Sequence, residues 1–272
     1  MIDHVMSAII FPITVIALAS VVFTITDTQP QIKCNTHQKW YKNPDLKLDM
    51  FYLMINAILR KYMMICIAII LWSMLLPIAD IDSIKDYVQN TKGPLGSYSF
   101  SSQVIIYLIC SDFSMYWLHR AFHCKRLWFY HAVHHSEQQV DWTTAYRFHP
   151  INIAFSPVLT DVVMLTLGIS PEVMFFLRPF DAFYSLFVHA NLNWTFGKLK
   201  YVIATPVFHR WHHASNTEAM SKNFAPTLAI WDVIFGTFYM PEKQRPAAYG
   251  INEKEYPTGF IQQLLHPFRA KK

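Results

Sequence analysis

The chain is expected to be an all-α integral membrane protein with about four transmembrane helices, one helical hairpin included. Apolar residues make up 53% of the 272 positions and charged residues only 15%, against roughly a quarter charged in ordinary soluble domains. Long uncharged runs account for the depletion. No stretch shows the alternation of a strand, and the histidines gather where the apolar runs end.

Taken in order, residues 7–26 carry no charge, which is length enough for a helix to cross a hydrocarbon core of about 30 Å. Ala17-Leu18-Ala19 mimics a signal-cleavage site. No basic residue precedes it and the apolar run continues past it, so a retained span is expected. Residues 27–61 are polar. A second span is expected at 62–79, ending near Pro77 and Asp80, and a third at 98–118. The connector between them has turn signals at Gly93-Pro94 and Gly96. Residues 151–188 hold two shorter apolar runs broken at Gly168 and Ser170-Pro171, which predicts a helical hairpin that crosses the bilayer or dips into it. The chain thus divides into an N-terminal transmembrane region, 1–118, and a histidine-rich region, 119–272, working as one unit.

Basic residues mark the cytosolic flanks of membrane spans. Residues 1–26 contain no Lys or Arg, whereas 27–61 contain Lys33, Lys39, Lys42, Lys47, Arg60 and Lys61. The N-terminus is therefore expected outside and 27–61 in the cytosol. Counting onward brings His119, both ends of the hairpin, His189 and the tail with Lys198, Lys200 and Lys271-Lys272 to the cytosolic face, as a helical cap. The formal charge of +5 is then that of membrane flanks rather than of a nucleic-acid binder. Cys34, Cys66, Cys110 and Cys124 show no CxxC spacing and are expected to be reduced packing residues.

Among thirteen histidines, eight form three boxes: His119 with His123, His131 with His134 and His135, and His209 with His212 and His213. Residues three or four apart share a helical face, so each box points one way. His4, His37 and His266 stand alone and are ordinary residues. Crowded imidazoles are costly unless something binds them, and eight exceed what one ion can use. The pattern asks for two metal ions. His119-Arg-Ala-Phe-His123 lacks the glutamate of an HExxH zinc site, and a transporter would set its histidines inside the spans. A redox pair of iron ions suits imidazole donors better.

The boxes, with Arg147-Phe-His149-Pro150, Val188-His189-Ala190-Asn191 and Trp231-Asp-Val-Ile-Phe-Gly236-Thr, resemble the fatty acid hydroxylase/sterol desaturase superfamily from about residue 100 to 240. The resemblance implies a membrane-bound non-haem di-iron enzyme that uses dioxygen and external electrons to hydroxylate or desaturate a lipid of sterol or fatty-acyl type. It implies ligands at His119, His123, His131, His134, His135, His189, His209, His212 and His213. Where some members carry a further histidine four residues after His189, this chain has Asn193, expected on the same helical face as a candidate ligand through water. Asn223-Phe224-Ala225 departs from the family's Asn-Phe-Gly, which leaves the local turn open and removes no ligand.

Two further residues are expected behind the ligands. Asp112 lies seven residues before His119, two helical turns up on the same face, where a carboxylate could orient a ligating imidazole. His149, ahead of Pro150, is expected in a supporting or substrate-facing position. Asp181 is a similar candidate unless Arg178 pairs with it. Trp117, Trp128, Tyr130, Trp142 and Trp211 are expected in packing or at the membrane interface.

No dinucleotide fingerprint or haem domain is present, so electrons would come from a cytochrome b5-like or ferredoxin-like donor, drawn by Lys198 and Lys200. The competing readings are a non-catalytic zinc-binding membrane protein and a membrane zinc hydrolase; zinc can also replace iron during purification. The location expected is the endoplasmic reticulum in a eukaryote or the inner membrane in a bacterium.

Overall fold

The computed structural model describes residues 2–75, 81–251 and 256–269, with the side chains of 2–13, 15 and 81 excepted. Pro77, Asp80 and Lys271-Lys272 lie outside the described residues. Regular structure there is helical, apart from one β-bridge pair, Ala214 with Tyr249. The helices α1 (Ile2–Asp27), α2 (Leu46–Leu75), α3 (Ile81–Gln89), α4 (Phe100–Phe122) and α5 (Lys125–His135) come first. A kinked segment follows, made of α6 (Pro150–Ile153), a π-turn (Ala154–Val158) and α7 (Leu159–Thr166). Then come α8 (Pro171–His189), α9 (Pro206–His212), α10 (Ile230–Ile234) and α11 (Phe260–Arg269).

Helix starts are written locally. The hydroxyls of Ser99, Ser170 and Thr205 accept the backbone N–H of Ser102, Val173 and Phe208, capping α4, α8 and α9. Pro171 and Pro206 open α8 and α9 where a missing N–H costs nothing. Pro157 sits inside the π-turn; it has no N–H to continue the ladder, and the turn widens there.

Across the stretch expected as a hairpin, the kinked segment and α8 are joined at Gly168. There the backbone has φ +91° and lies so close to the connector that a Cβ on Gly93 would stand 2.3 Å from the Gly168 nitrogen. Leu95 N–H donates to the Leu167 carbonyl at 2.8 Å across the same contact.

The second span departs from expectation. Helix α2 begins at Leu46, not at residue 62. Its first half was read as part of a polar segment; Lys47 and Lys61 are exposed, whereas Asp49, Tyr52 and Asn56 are buried. Asp49 accepts from Arg147 Nε at 2.7 Å, Tyr52 OH donates to Gln263 Oε1, Asn56 donates to the Phe148 carbonyl and Arg60 to Asp161. The opposite face, Phe51, Met54, Ile58, Tyr62, Ile65 and Ile69, is apolar and exposed. A helix that is polar toward the protein and greasy outside suits a lipid surround. Ile105, Ile109, Phe113 and Trp117 make a similar exposed stripe on α4.

Among the described residues, α2 is the one helix long and apolar enough to cross a membrane. Pro150–Thr166 is a shorter apolar stretch, and Ile16–Asp27 is another, lying in the part of α1 whose side chains are described. The end of α1 belongs to the main core, where Ala19 and Phe23 pack with Trp142, Leu186, Phe208 and Trp211. That core, together with α4 and α8, fixes the inner ends of the histidine-bearing helices.

The Asp49–Arg147 pair is fully interior. Removing Asp49 leaves the buried Arg147 guanidinium the longer Asp45 ion pair at 3.4 Å, so Asp49→Ala should destabilise the fold by about 3 kcal/mol. Thermal unfolding in detergent reads this, with Lys85→Ala, in the exposed Lys85–Asp82 pair, leaving the midpoint in place.

Candidate metal centre

All nine expected histidines converge, but not as the boxes suggested. One group holds His119, His123, His131, His135 and His212; the other holds His134, His189, His209 and His213. Within each group the ring nitrogens lie within 4.8 Å of one another. The expectation that each HxxHH box serves a single point is therefore corrected. On α5, His131 and His135 are four apart and turn to the first group, while His134 turns to the second. On α9 the exchange is reciprocal: His209 and His213 serve the second group and His212 the first. Adjacent residues on a helix stand about 100° apart, so neighbouring His134 and His135 must diverge; their rings lie at 86°. The two groups adjoin, the His135 and His213 rings stacking at 4.6 Å.

The local hydrogen bonds set the tautomers. Nδ1 of His119 faces the Phe224 carbonyl at 2.7 Å, that of His134 the Arg147 carbonyl at 3.1 Å, that of His189 the Ser185 carbonyl at 2.6 Å and that of His212 the Lys222 carbonyl at 2.7 Å. Nδ1 of His131 faces Asn152 Oδ1 at 2.7 Å. An oxygen acceptor requires a donor, so these five rings carry their proton on Nδ1 and offer a bare Nε2. His119 Nε2 then meets His131 Nε2 at 3.0 Å, and His134 Nε2 meets His189 Nε2 at 3.2 Å. These are lone pairs facing lone pairs. Burial pushes the pKa values of His131, His134, His135, His209, His212 and His213 well below the usual imidazole range, so protonation does not relieve the contacts.

A cation does relieve them. Two nitrogens about 2.1 Å from one ion and at right angles stand about 3 Å apart, which is the spacing seen. Nε2 of His123 and of His212 are buried without a hydrogen-bond partner, as ligand atoms would be. The donor set fits a metal pair.

Both groups open on one cavity of about 970 Å³, reached by His119, His131, His134, His189 and His209. Its walls are largely apolar, with Met115, Phe148, Val188 and Ile203 near the histidines and Phe175 and Phe180 farther along α8. Ser156 and Pro157 of the π-turn also face it; such turns recur at functional sites.

Three supporting residues are not where the sequence put them. Asp112 accepts from the backbone N–H of Thr227 and Leu228 and from Trp231 Nε1, at 2.9, 3.0 and 2.9 Å. It pins the loop after the third box and touches no imidazole. His149 caps α6, accepting from Ile151 N–H, and its Nε2 reaches the Leu264 carbonyl at 3.1 Å, so it ties α6 to α11. Asn193 does not share a helical face with His189, because α8 stops at His189 and Ala190 is extended. Its side-chain oxygen is bound by Arg245. Arg178 pairs with Asp161 rather than with Asp181.

The residue that sequence reasoning missed is Asn152, buried beside His131. Its only signal was a polar residue two positions after Pro150, in the first turn of the helix that His149-Pro150 starts. The departure at Ala225 is harmless: the left-handed position is Asn223, at φ +58°, and Asp232 accepts from the N–H groups of Phe224 and Ala225 at 2.8 Å each.

Comparison with known proteins is consistent with this site. Residues 104–237 match the family model described as Fatty acid hydroxylase. The ornithine lipid hydroxylase of Rhizobium tropici is 34% identical over 170 residues, covering 62% of this chain and 51% of that protein. Human alkylglycerol monooxygenase is 36% identical over 141 residues, 52% of this chain and 31% of the relative. Methylsterol monooxygenase 1-3 of Arabidopsis thaliana is 28% identical over 144 residues, 50% and 47% respectively. The chain thus spans about half or less of the length of these relatives. No solved structure matches it.

If Asn152 fixes the His131 tautomer, Asn152→Ala should weaken metal binding about 10–100-fold. Metal titration of the purified chain checks this, alongside an unfolding curve showing that the variant remains folded.

Proposed function

The chain belongs to the fatty acid hydroxylase/sterol desaturase superfamily, and on that premise we propose that it is a membrane-bound non-haem di-iron oxygenase acting on a lipid. The observation that carries the proposal is the pair of all-imidazole groups, five and four strong, opening together on a largely apolar cavity. The names of the relatives, hydroxylase of an ornithine lipid and monooxygenases of alkylglycerol and methylsterol, share the insertion of oxygen into a lipid. In this reading His119, His123, His131, His135 and His212 hold one iron, and His134, His189, His209 and His213 hold the other.

When bound, the iron pair supplies the dioxygen chemistry that attack on an unactivated C–H bond demands. The overall balance for hydroxylation is one C–H bond, one dioxygen, two electrons and two protons giving one alcohol and water. The electrons come from an external carrier, cytochrome b5-like or ferredoxin-like. What this chain contributes is placement. The carbonyls of Phe224, Arg147, Ser185 and Lys222, with Asn152, hold the imidazoles in register, and the apolar cavity admits an alkyl chain while excluding water. Orientation of the chain against the site decides between alcohol and alkene.

Neither group includes a carboxylate, so the general base that a zinc hydrolase needs is not beside the ions. Five imidazoles also exceed the four ligands of a structural zinc. We assign the histidine region to 119–272 and the membrane anchor to 1–118, with α4 and the hairpin helping α2 to seat the protein in the bilayer. The histidine groups then face the cytosol, at the endoplasmic reticulum of a eukaryote or the inner membrane of a bacterium.

Lipid profiling of cells expressing the wild type or His134→Ala tests the proposal. A lipid carrying one more oxygen, or two fewer hydrogens, should depend on the wild type together with dioxygen uptake. Identical profiles with an iron-loaded wild type would contradict it.

A further inference from the structure

Along α8 from the histidines, the same cavity carries charge. Arg60 of α2 and Arg178 of α8 both donate to Asp161 Oδ2, at 2.7 Å from Arg60, and Tyr107 OH donates to Asp161 Oδ1 at 2.9 Å. All four line the cavity, as does Asp181. Each guanidinium spends one nitrogen on Asp161, and its other N–H groups have no partner among the described residues. A guanidinium has five donors. The side chains of Arg60 and Arg178 keep 32% of their surface open, and the cavity is what they line.

Two more groups keep hydrogen-bonding capacity. Asp181 faces Arg178 and Arg60 through charge but makes no hydrogen bond among the described residues, and the buried Thr160 hydroxyl, also on the cavity wall, makes none either. A purely structural ion pair would have closed on itself. Ionisable groups placed among membrane-seated helices are expensive and mark substrate paths.

We propose that Arg60, Arg178 and Asp181 bind the headgroup of a zwitterionic polar lipid, its anionic oxygens on the two guanidiniums and its cation on Asp181. The two arginines and two aspartates sum to zero charge, so an added anion alone leaves Asp181 opposed, whereas a zwitterion matches both signs. The inference deepens the oxygenase reading and rests on it for the fate of the alkyl chain. Along α8, Asp181 precedes His189 by eight residues and Arg178 by eleven, about 12 and 16 Å of helix rise. A headgroup held there puts the alkyl chain, not the headgroup, against the histidines, and the position oxidised is measured from the charged end.

The test is lipid binding by native mass spectrometry on the full chain in detergent, with metal content measured on the same samples. The probes are phosphatidylethanolamine and Nα-palmitoyl-lysine, zwitterions built on a phosphate and a carboxylate, against phosphatidic acid, oleate and diacylglycerol. At least one zwitterion should bind about tenfold more tightly than the anionic and neutral probes, and the better of the two identifies the anionic group. Arg178→Gln should remove about tenfold of that affinity. Asp181→Asn, which breaks no hydrogen bond, should abolish the preference for the zwitterion over the matching anion. Diacylglycerol binding as tightly as the zwitterions, or an unchanged preference in Asp181→Asn, would overturn the inference. Such a failure with metal in place spares the oxygenase reading; a chain without metal sinks that reading while the binding result still stands or falls by itself.

Discussion

The interior of this protein is organised by a repulsion. Imidazoles locked with their protons on Nδ1 point bare nitrogens at one another across 3.0–3.2 Å, in a setting where protonation is opposed by burial. Such an arrangement is stable only with positive charge at its centre. The carbonyls that lock the rings come from three separate segments of chain, around Arg147, Ser185 and Lys222–Phe224. The fold that brings those carbonyls inward is also the fold that builds the two groups. Metal binding and folding are therefore expected to be strongly linked.

The second organising feature is inversion. Helix α2 turns Asp49, Tyr52, Asn56 and Arg60 toward the protein and an apolar stripe outward. Its inward polar residues grip the segments around Arg147 and Phe148, α7 and α11, so the helix that anchors the chain also shapes the cavity wall. The π-turn at Pro157 packs against α2 and lines the same cavity. The result is a cavity whose wall along α8 carries Arg178 and Asp181 two to three turns from the imidazole of His189, with apolar residues between and beside them.

Much of this was legible in the sequence, for identifiable reasons. The histidine clusters, the helical spacing within them and the hairpin turn at Gly168 all follow from local periodicity and turn chemistry. What the sequence did not reveal depends on partners distant along the chain. The boxes read as single faces because spacing alone does not say that His134 and His135 diverge toward different centres. Residues 46–61 read as part of a polar segment because inward and outward polarity look alike in one dimension. Asp112 was placed by helix spacing behind His119, yet its partners are backbone groups at Thr227 and Leu228. Asn193 was judged on a helix that ends four residues earlier, and His149 proved to be a cap for α6.

The most direct test of the central claim is the iron stoichiometry of the full chain, reconstituted anaerobically with ferrous iron and freed of loosely bound metal. Two irons per chain, with nitrogen-dominated ligation by X-ray absorption, is the result expected from two imidazole groups. One iron or none per folded chain, or ligation dominated by oxygen or sulfur, would contradict it.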